Sequence, residues 1–326
     1  MKEGMVFFMQ TQIPITTRKN TDLIKKKRVW AKMYSFRYMY LMLVPALAYY
    51  FIFHYYPMYG VLIAFKNYNF TDGILGSSWA GFDHFTYLFQ LDKFWQVFWN
   101  TLVISLYRLV FGFPFPLIIA LLLNEVRKTL FKRTVQTIIY IPHFISWVIM
   151  GGLLISLLSI DSGIVNDIIR LFGGKPISFL TDESYFRSTL VWSMIWKEFG
   201  WNTIIFMAAL AGVDPQLYEA AIMDGANRWK RIWHITLPSI RATIIILLIL
   251  RIGNLMEAGF EQIFILYHPG VYNVSDIIDT YVYRIGLTEG RFSLAAAVGL
   301  FKSIINFTLL VLANQLSRRM GQQGVY

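Results

Sequence analysis

The sequence contains no cysteine, which excludes disulfides, thiolate metal sites and cysteine nucleophiles. Histidine is scarce: His54, His84, His143, His234 and His268 are scattered, and none has the HExxH spacing of a helical zinc site. No GxxxxGK[ST] phosphate loop occurs, so the chain does not hydrolyse ATP through that motif. Energy for any pumping then comes from another subunit or from an ion gradient. GxSxG is missing too, and the nearest serine and histidine pair, His143 with Ser146, has the spacing of ordinary helix neighbours. The expectation is a chain with no catalytic residue, no metal and no cofactor of its own.

Charge is also in short supply. Only 15% of the 326 residues are charged, against 56% hydrophobic and 17% aromatic, and the mean hydropathy is +0.50. That is the composition of a polytopic membrane protein. The net charge of +11 would suggest nucleic acid in a soluble protein, but here the position of the charge matters more than its sum, and no nucleic-acid partner is expected. Residues 1–37 do not read as a cleavable signal, because the apolar MVFFM is far too short for a signal core.

A bilayer crossing needs about 20 mostly apolar residues. Six candidates fit, at 38–65, 97–124, 134–160, 189–212, 239–259 and 293–316, so the fold class is all-α with six transmembrane helices. Several are longer than the minimum and imply tilt. In the second, the FGFPFP run with Pro114 and Pro116 predicts a bend. Domain organisation follows: a basic tail over 1–37, a membrane domain over 38–316 and a short tail over 317–326. Lys and Arg are unevenly shared between the two sides, nineteen against seven. The positive-inside bias therefore puts both termini, and the loop between the fourth and fifth spans, in the cytoplasm. The KKKR run at 25–28 fixes topology and touches anionic lipid. The outer loops, at 66–96, 161–188 and 260–292, are rich in aromatics and Gly and long enough to receive a binding protein.

The loop at 214–238, DPQLYEAAIMDGANRWKRIWHITLP, is a polar island between apolar segments. Asp214 before Pro215 is a helix start, Gly225 a stop, and a second helix is predicted from about Asn227 to Thr236, closed by Pro238. Trp229, Ile232 and Trp233 fall on one face of it. Such a two-helix knob suits the groove of a partner protein.

Within this loop Glu219, Ala220 and Ala221, then three residues to Gly225, then nine to Ile235, Thr236, Leu237 and Pro238, resemble the EAA signature of the membrane subunits of bacterial ABC importers. The resemblance extends along most of the chain. The start at 41–68, the stretches at 259–287 and 292–307, and the end at 316–326 are similar to the complex-carbohydrate branch of the sugar importers. It implies a type I ABC importer transmembrane domain in a bacterial cytoplasmic membrane. The implied partners are a second, similar permease, two copies of a cytoplasmic ATPase that carries ATP and Mg, and an extracytoplasmic solute-binding protein. It also assigns roles: Glu219 and Asp224 to polar contacts at the ATPase, Ala220 and Ala221 to close approach, Gly225 to the bend, and Ile235, Leu237 and Pro238 to the exit into the fifth span. The branch takes up aldouronates, pectin fragments and alginate oligosaccharides, and an anionic uronate, alginate first, is the implied substrate.

Ionisable and amide groups inside spans usually mark a pathway or a buried pairing. They are Asn100 and Arg108 in the second span, Lys197, Glu198 and Asn202 in the fourth, Arg251, Asn254 and Glu257 in the fifth, and Lys302 in the sixth. Sugars need hydrogen-bonding groups and aromatic faces together. VWSMIWKEFGWNT at 191–203 mixes both, so Trp192, Trp196, Lys197, Glu198, Asn202, Asn254, Glu257 and Lys302 are the candidate substrate pathway, with Lys197 or Lys302 facing a uronate. A structural reading stands beside it, in which the tryptophans form an interface belt and Lys197 pairs with a carboxylate such as Glu257. Two other functions fit the same residues: an ion-coupled secondary transporter using Lys197, Glu198 and Glu257, and an ABC permease for peptides or amino acids.

Overall fold

The computed structural model describes residue 32 and residues 34–319. Most of the basic tail, including the 25–28 run, and residues 320–326 lie outside the described residues. The chain divides into two units, Met1–Gly60 and Val61–Tyr326. In the first, the helix Arg37–Tyr50 carries Pro45 and passes into a wider turn at Phe51–Tyr55.

The second unit is almost wholly helical. Its one two-stranded ribbon pairs Lys66 with Trp79 and Asn67 with Ser78. Among the described residues of the whole chain, three helices are long and apolar enough to cross a membrane, Arg37–Phe65, Asp92–Asn124 and Phe292–Arg319, or five if each of two bent pairs counts as one crossing. At about 1.5 Å per residue, all three exceed the roughly 30 Å hydrocarbon core. The helix Glu183–Ala211, where the fourth span is expected, has 29 residues but is not among them. Lys197, Glu198 and Asn202 lower its hydropathy. They are tolerated because much of this helix packs on protein, burying twelve residues, among them Phe186, Leu190, Phe206 and Lys197.

The helix Asp92–Asn124 is one crossing, as expected, divided at Phe113 within its FGFPFP run into Asp92–Gly112 and Pro114–Asn124, and Thr203 of the neighbouring helix donates to the Pro116 carbonyl at 3.3 Å. Three expectations change. The sharp bends fall elsewhere. The third crossing is two helices, Thr129–Phe144 and Trp147–Leu158, meeting at 104°. Pro142 disfavours continued helix before it, and Ser146 opens a new one by accepting from the Ile149 amide at 3.4 Å. In the fifth, the helix Arg241–Gly253 ends well before residue 259, and Asn254 to Gly259 run as irregular backbone in which the Met256 amide donates to Asn306 at 3.0 Å. Such backbone is stable at membrane depth only inside protein or along a cavity. The last helix runs on to Arg319, past the expected end at residue 316.

Between helices in lipid there is no hydrophobic drive, so close packing and internal hydrogen bonds hold the bundle. One core joins Phe94, Val97, Ile278 and Val298, a second joins Ile104, Met150, Phe186 and Ile263, and a third joins Ala120, Phe206, Leu210 and Ile240. Gly200 is where the fourth helix meets the backbone of Ile139, and a Cβ there would collide with the Ile139 carbonyl.

Candidate functional site

Two places concentrate polar groups. The first is the loop between the fourth and fifth spans. Asp214 caps the helix Pro215–Met223 by accepting from the Gln216 amide at 2.9 Å, with Pro215 in the first turn, where a missing N–H costs nothing. Gly225 ends it at φ +75, and the Ala226 and Gly225 amides donate back to the carbonyls of Ala221 and Ile222 at 2.8 and 3.0 Å. This is the double closure that a left-handed residue permits. Asn227 then caps the next helix through the Lys230 amide at 2.9 Å.

Here the structure departs from the sequence expectation. The second helix does not stop at Thr236. It runs over Arg228–Ser239, passing Pro238 by way of a widened turn at Ile232–Thr236, and bends 64° into Arg241–Gly253. The two short helices are fastened by a hydrogen bond of 3.0 Å shared between the Tyr218 and Thr236 hydroxyls, and Thr236 is buried. Glu219, Ala220, Asp224, Gly225 and Pro238 are exposed, while Ala221, Ile235 and Leu237 are partly buried. Beside them Met223, Trp229 and Trp233 leave apolar surface uncovered. Glu219 and Asp224 have no side-chain partner among the described residues, so the knob presents two free carboxylates and an aromatic ridge.

The second place is an open cavity of about 970 Å³ lined by the second, fourth, fifth and sixth spans and the segment 254–287. Asn202, Asn254, Glu257 and Lys302, four of the residues assigned to a pathway from sequence, line it. Arg108, Arg251 and Asp279 line it as well, with Phe260, Tyr283 and Phe292 as ring surface. Lys302 Nζ is bound to Asp279 Oδ1 at 2.5 Å. A guanidinium nitrogen of Arg108 donates to the Ala258 carbonyl. The side chains of Arg251 and Glu257 are exposed to the cavity and make no hydrogen bond or ion pair among the described residues.

The other four assigned residues lie outside the cavity. Lys197 is buried and donates to the carbonyls of His143 and Ile145 at 2.7 and 2.6 Å, with Pro142 at 3.5 Å, so it ties the 104° bend to the fourth helix. Its partner is backbone rather than Glu257. Glu198 approaches His143 Nδ1 at 3.3 Å, and the His143 ring stacks on Trp201 with centroids 4.5 Å apart. Trp192 and Trp196 border a separate apolar groove with Phe115, Phe131 and Phe199.

Arg108 and Arg251 stand out in the sequence as cations within apolar runs. Asp279 does not, since only the packing of the helix Ile278–Tyr283 on the last span brings it to Lys302. In the stretch 260–292, Asp276 is fully buried and holds Arg284 at 2.6 Å, Lys93 at 3.4 Å and the Thr280 hydroxyl at 2.9 Å. Burial alone would lower the Arg284 pKa, but the hydrogen bond and charge of Asp276 raise it above the ordinary value.

Comparison with known proteins adds to this geometry. The profile of the family described as binding-protein-dependent transport system inner membrane component matches residues 112–322. The polygalacturonan/rhamnogalacturonan transport system permease protein YteP of Bacillus subtilis is 49% identical over 302 residues, covering 93% of this chain and 94% of that protein. Protein LplB of the same organism is 50% identical over 290 residues, covering 89% and 91%. A chain of a bacterial alginate ABC transporter, crystallised with an alginate pentasaccharide-bound periplasmic protein, superposes with a TM-score of 0.85 at 42% identity over 91% of this chain and all of that one.

Proposed function

We propose that this chain, which belongs to the family of binding-protein-dependent transport system inner membrane components, forms one half of the pathway of an ATP-driven importer of uronate-containing oligosaccharides. The observation that carries the reading is the pairing of an exposed two-helix knob with a polar and aromatic cavity, built by the same fourth and fifth spans. The knob offers Glu219, Asp224, Trp229 and Trp233 to a partner, and Gly225 fixes the angle between its helices. A cytoplasmic ATPase that carries ATP and Mg is the fitting partner. The nineteen-to-seven bias of Lys and Arg supports placing the knob and both termini on its side of the membrane.

In this mechanism, closure of two ATPase subunits around ATP moves the helix Pro215–Met223 as a rigid piece. The 64° junction at Ser239 passes the motion into Arg241–Gly253, which carries Arg251 at the cavity. A second, similar permease completes the pathway, and a solute-binding protein on the outer side delivers the sugar. Each nucleotide state stabilises the access state with which it makes better contacts. The substrate class rests on two relatives named for polyuronates, polygalacturonan and alginate. The first is the more similar to this chain, so oligogalacturonate is the first substrate to test and oligoalginate the second.

The experiment is purification of the tagged protein in mild detergent, with mass spectrometry of co-purifying chains and an ATPase assay with candidate sugars and their binding protein. A second permease and a Walker-containing subunit, stimulated by acidic oligosaccharide, are expected. A lone chain without ATPase, with uptake abolished by an uncoupler, would overturn the reading in favour of an ion-driven carrier.

A further inference from the structure

We infer that Arg251 is the residue by which the cavity reads the charge of its cargo, a role that rests on the sugar-importer reading above. The argument is by occupancy of the cations. Among the described residues, setting aside Arg241 in the first turn of its helix, four Lys or Arg side chains lie deeper within the apolar spans: Arg108, Lys197, Arg251 and Lys302. Lys197 is buried against the carbonyls of His143 and Ile145 and never meets the cavity. Lys302 faces it but is neutralised by Asp279 at 2.5 Å. Arg108 faces it with its guanidinium on the Ala258 carbonyl. Arg251 alone of the four faces it with no hydrogen bond or ion pair from the described residues.

An arginine without a counter-ion at membrane depth is expensive unless it lines a water-filled path, and such residues mark what the path carries. The guanidinium has a planar fork that meets a carboxylate in two parallel bonds, which a lysine cannot reproduce. Arg251 sits in the last turn of the helix Arg241–Gly253, where the carbonyl end of the helix favours a cation. Across the cavity Phe260, Tyr283 and Phe292 supply flat apolar surface for the faces of a sugar ring. The Glu257 carboxylate, also without a side-chain partner among the described residues, is an acceptor and repels a carboxylate, so it suits the hydroxyls of the same sugar, with Asn202 and Asn254 lining the same cavity. A ring carrying one carboxylate and several hydroxyls answers this set; a neutral ring leaves Arg251 unmatched.

The test uses the complete transporter in proteoliposomes with its binding protein, comparing wild type, Arg251→Gln and Arg251→Lys. The probes are trigalacturonate and neutral galactotriose, and co-purification of all subunits reports assembly. Wild type is expected to take up trigalacturonate in preference to galactotriose. Arg251→Gln is expected to raise the half-saturating trigalacturonate concentration at least about tenfold, as for loss of a charge-assisted hydrogen bond. Arg251→Lys should recover part of that loss. Unchanged trigalacturonate uptake in Arg251→Gln, equal loss in Gln and Lys variants that assemble fully, or wild-type preference for galactotriose would each overturn the assignment while leaving the importer reading intact. Uptake of neither sugar by an assembled wild-type complex would instead count against the importer reading itself.

Discussion

The bend held by Lys197 and the cavity lined by Arg251 are both polar regions within apolar spans, but they are finished differently. At the bend the polar groups lie against protein: Lys197 donates to carbonyls of His143 and Ile145, Glu198 stands 3.3 Å from His143 Nδ1, and the His143 ring lies on the face of Trp201. At the cavity only part of the set is answered, by Lys302 with Asp279 and by Arg108 with Ala258, and Arg251 and Glu257 face open space. A closed polar cluster in lipid holds helices in place, whereas an open one leaves groups free for something that passes. Substitutions at the two should therefore fail in different ways, the first by loss of fold and the second by loss of discrimination.

The largest effect is expected at the bend. Lys197→Met leaves two part-buried carbonyls without their donor and should cost about 2–6 kcal/mol, at about 1–3 per unsatisfied group. Lower yield and a lower midpoint in detergent thermal melts are the readouts, and wild-type stability would erase the distinction between the two regions. Gly200→Ala comes next: its methyl would meet the Ile139 carbonyl, and separating the helices should cost about 1–3 kcal/mol. The same melts, set against Gly152→Ala, which has open space at its Cβ, provide the comparison.

The loop variants should spare the fold and break coupling. Gly225→Val forces a β-branched residue to φ +75, a local strain of about 1–3 kcal/mol confined to the exposed knob. Together with Glu219→Lys it should lower sugar imported per ATP hydrolysed in an assembled complex, and normal uptake with either would refute the coupling role. The smallest effect belongs to the cavity's closed pair. Asp279→Asn frees Lys302 from a partly exposed ion pair of about 1 kcal/mol or less, so melts should hardly move. Affinity for an acidic sugar should rise a few-fold, and weaker binding of trigalacturonate would contradict the cavity's role in reading charge.

The loop at 214–238 was the most legible part of the sequence because its determinants are local. Asp214, Pro215, Gly225 and Asn227 act through backbone atoms two to five residues away, and all four take the roles their residue types predict. Pro238 was misjudged, because proline usually ends a helix and the widened turn at Ile232–Thr236 that accommodates it has no marker of its own. The cavity was half legible. Asn202, Asn254, Glu257 and Lys302, grouped from sequence, line it together, while Lys197, equally conspicuous in an apolar run, was taken up by a bend more than fifty residues away.

By itself the sequence determined what depends on composition and near neighbours: an all-α membrane chain, the approximate places of its apolar segments, and the capped two-helix loop. Only the tertiary structure decided which intramembrane charges are satisfied and which are open. Satisfaction is a relation between residues far apart in the chain, such as Lys302 with Asp279, Lys197 with Ile145 and Asn306 with Met256. A buried charge is costly wherever it stands, so its presence announces importance. Its meaning depends on whether folding brings it a partner.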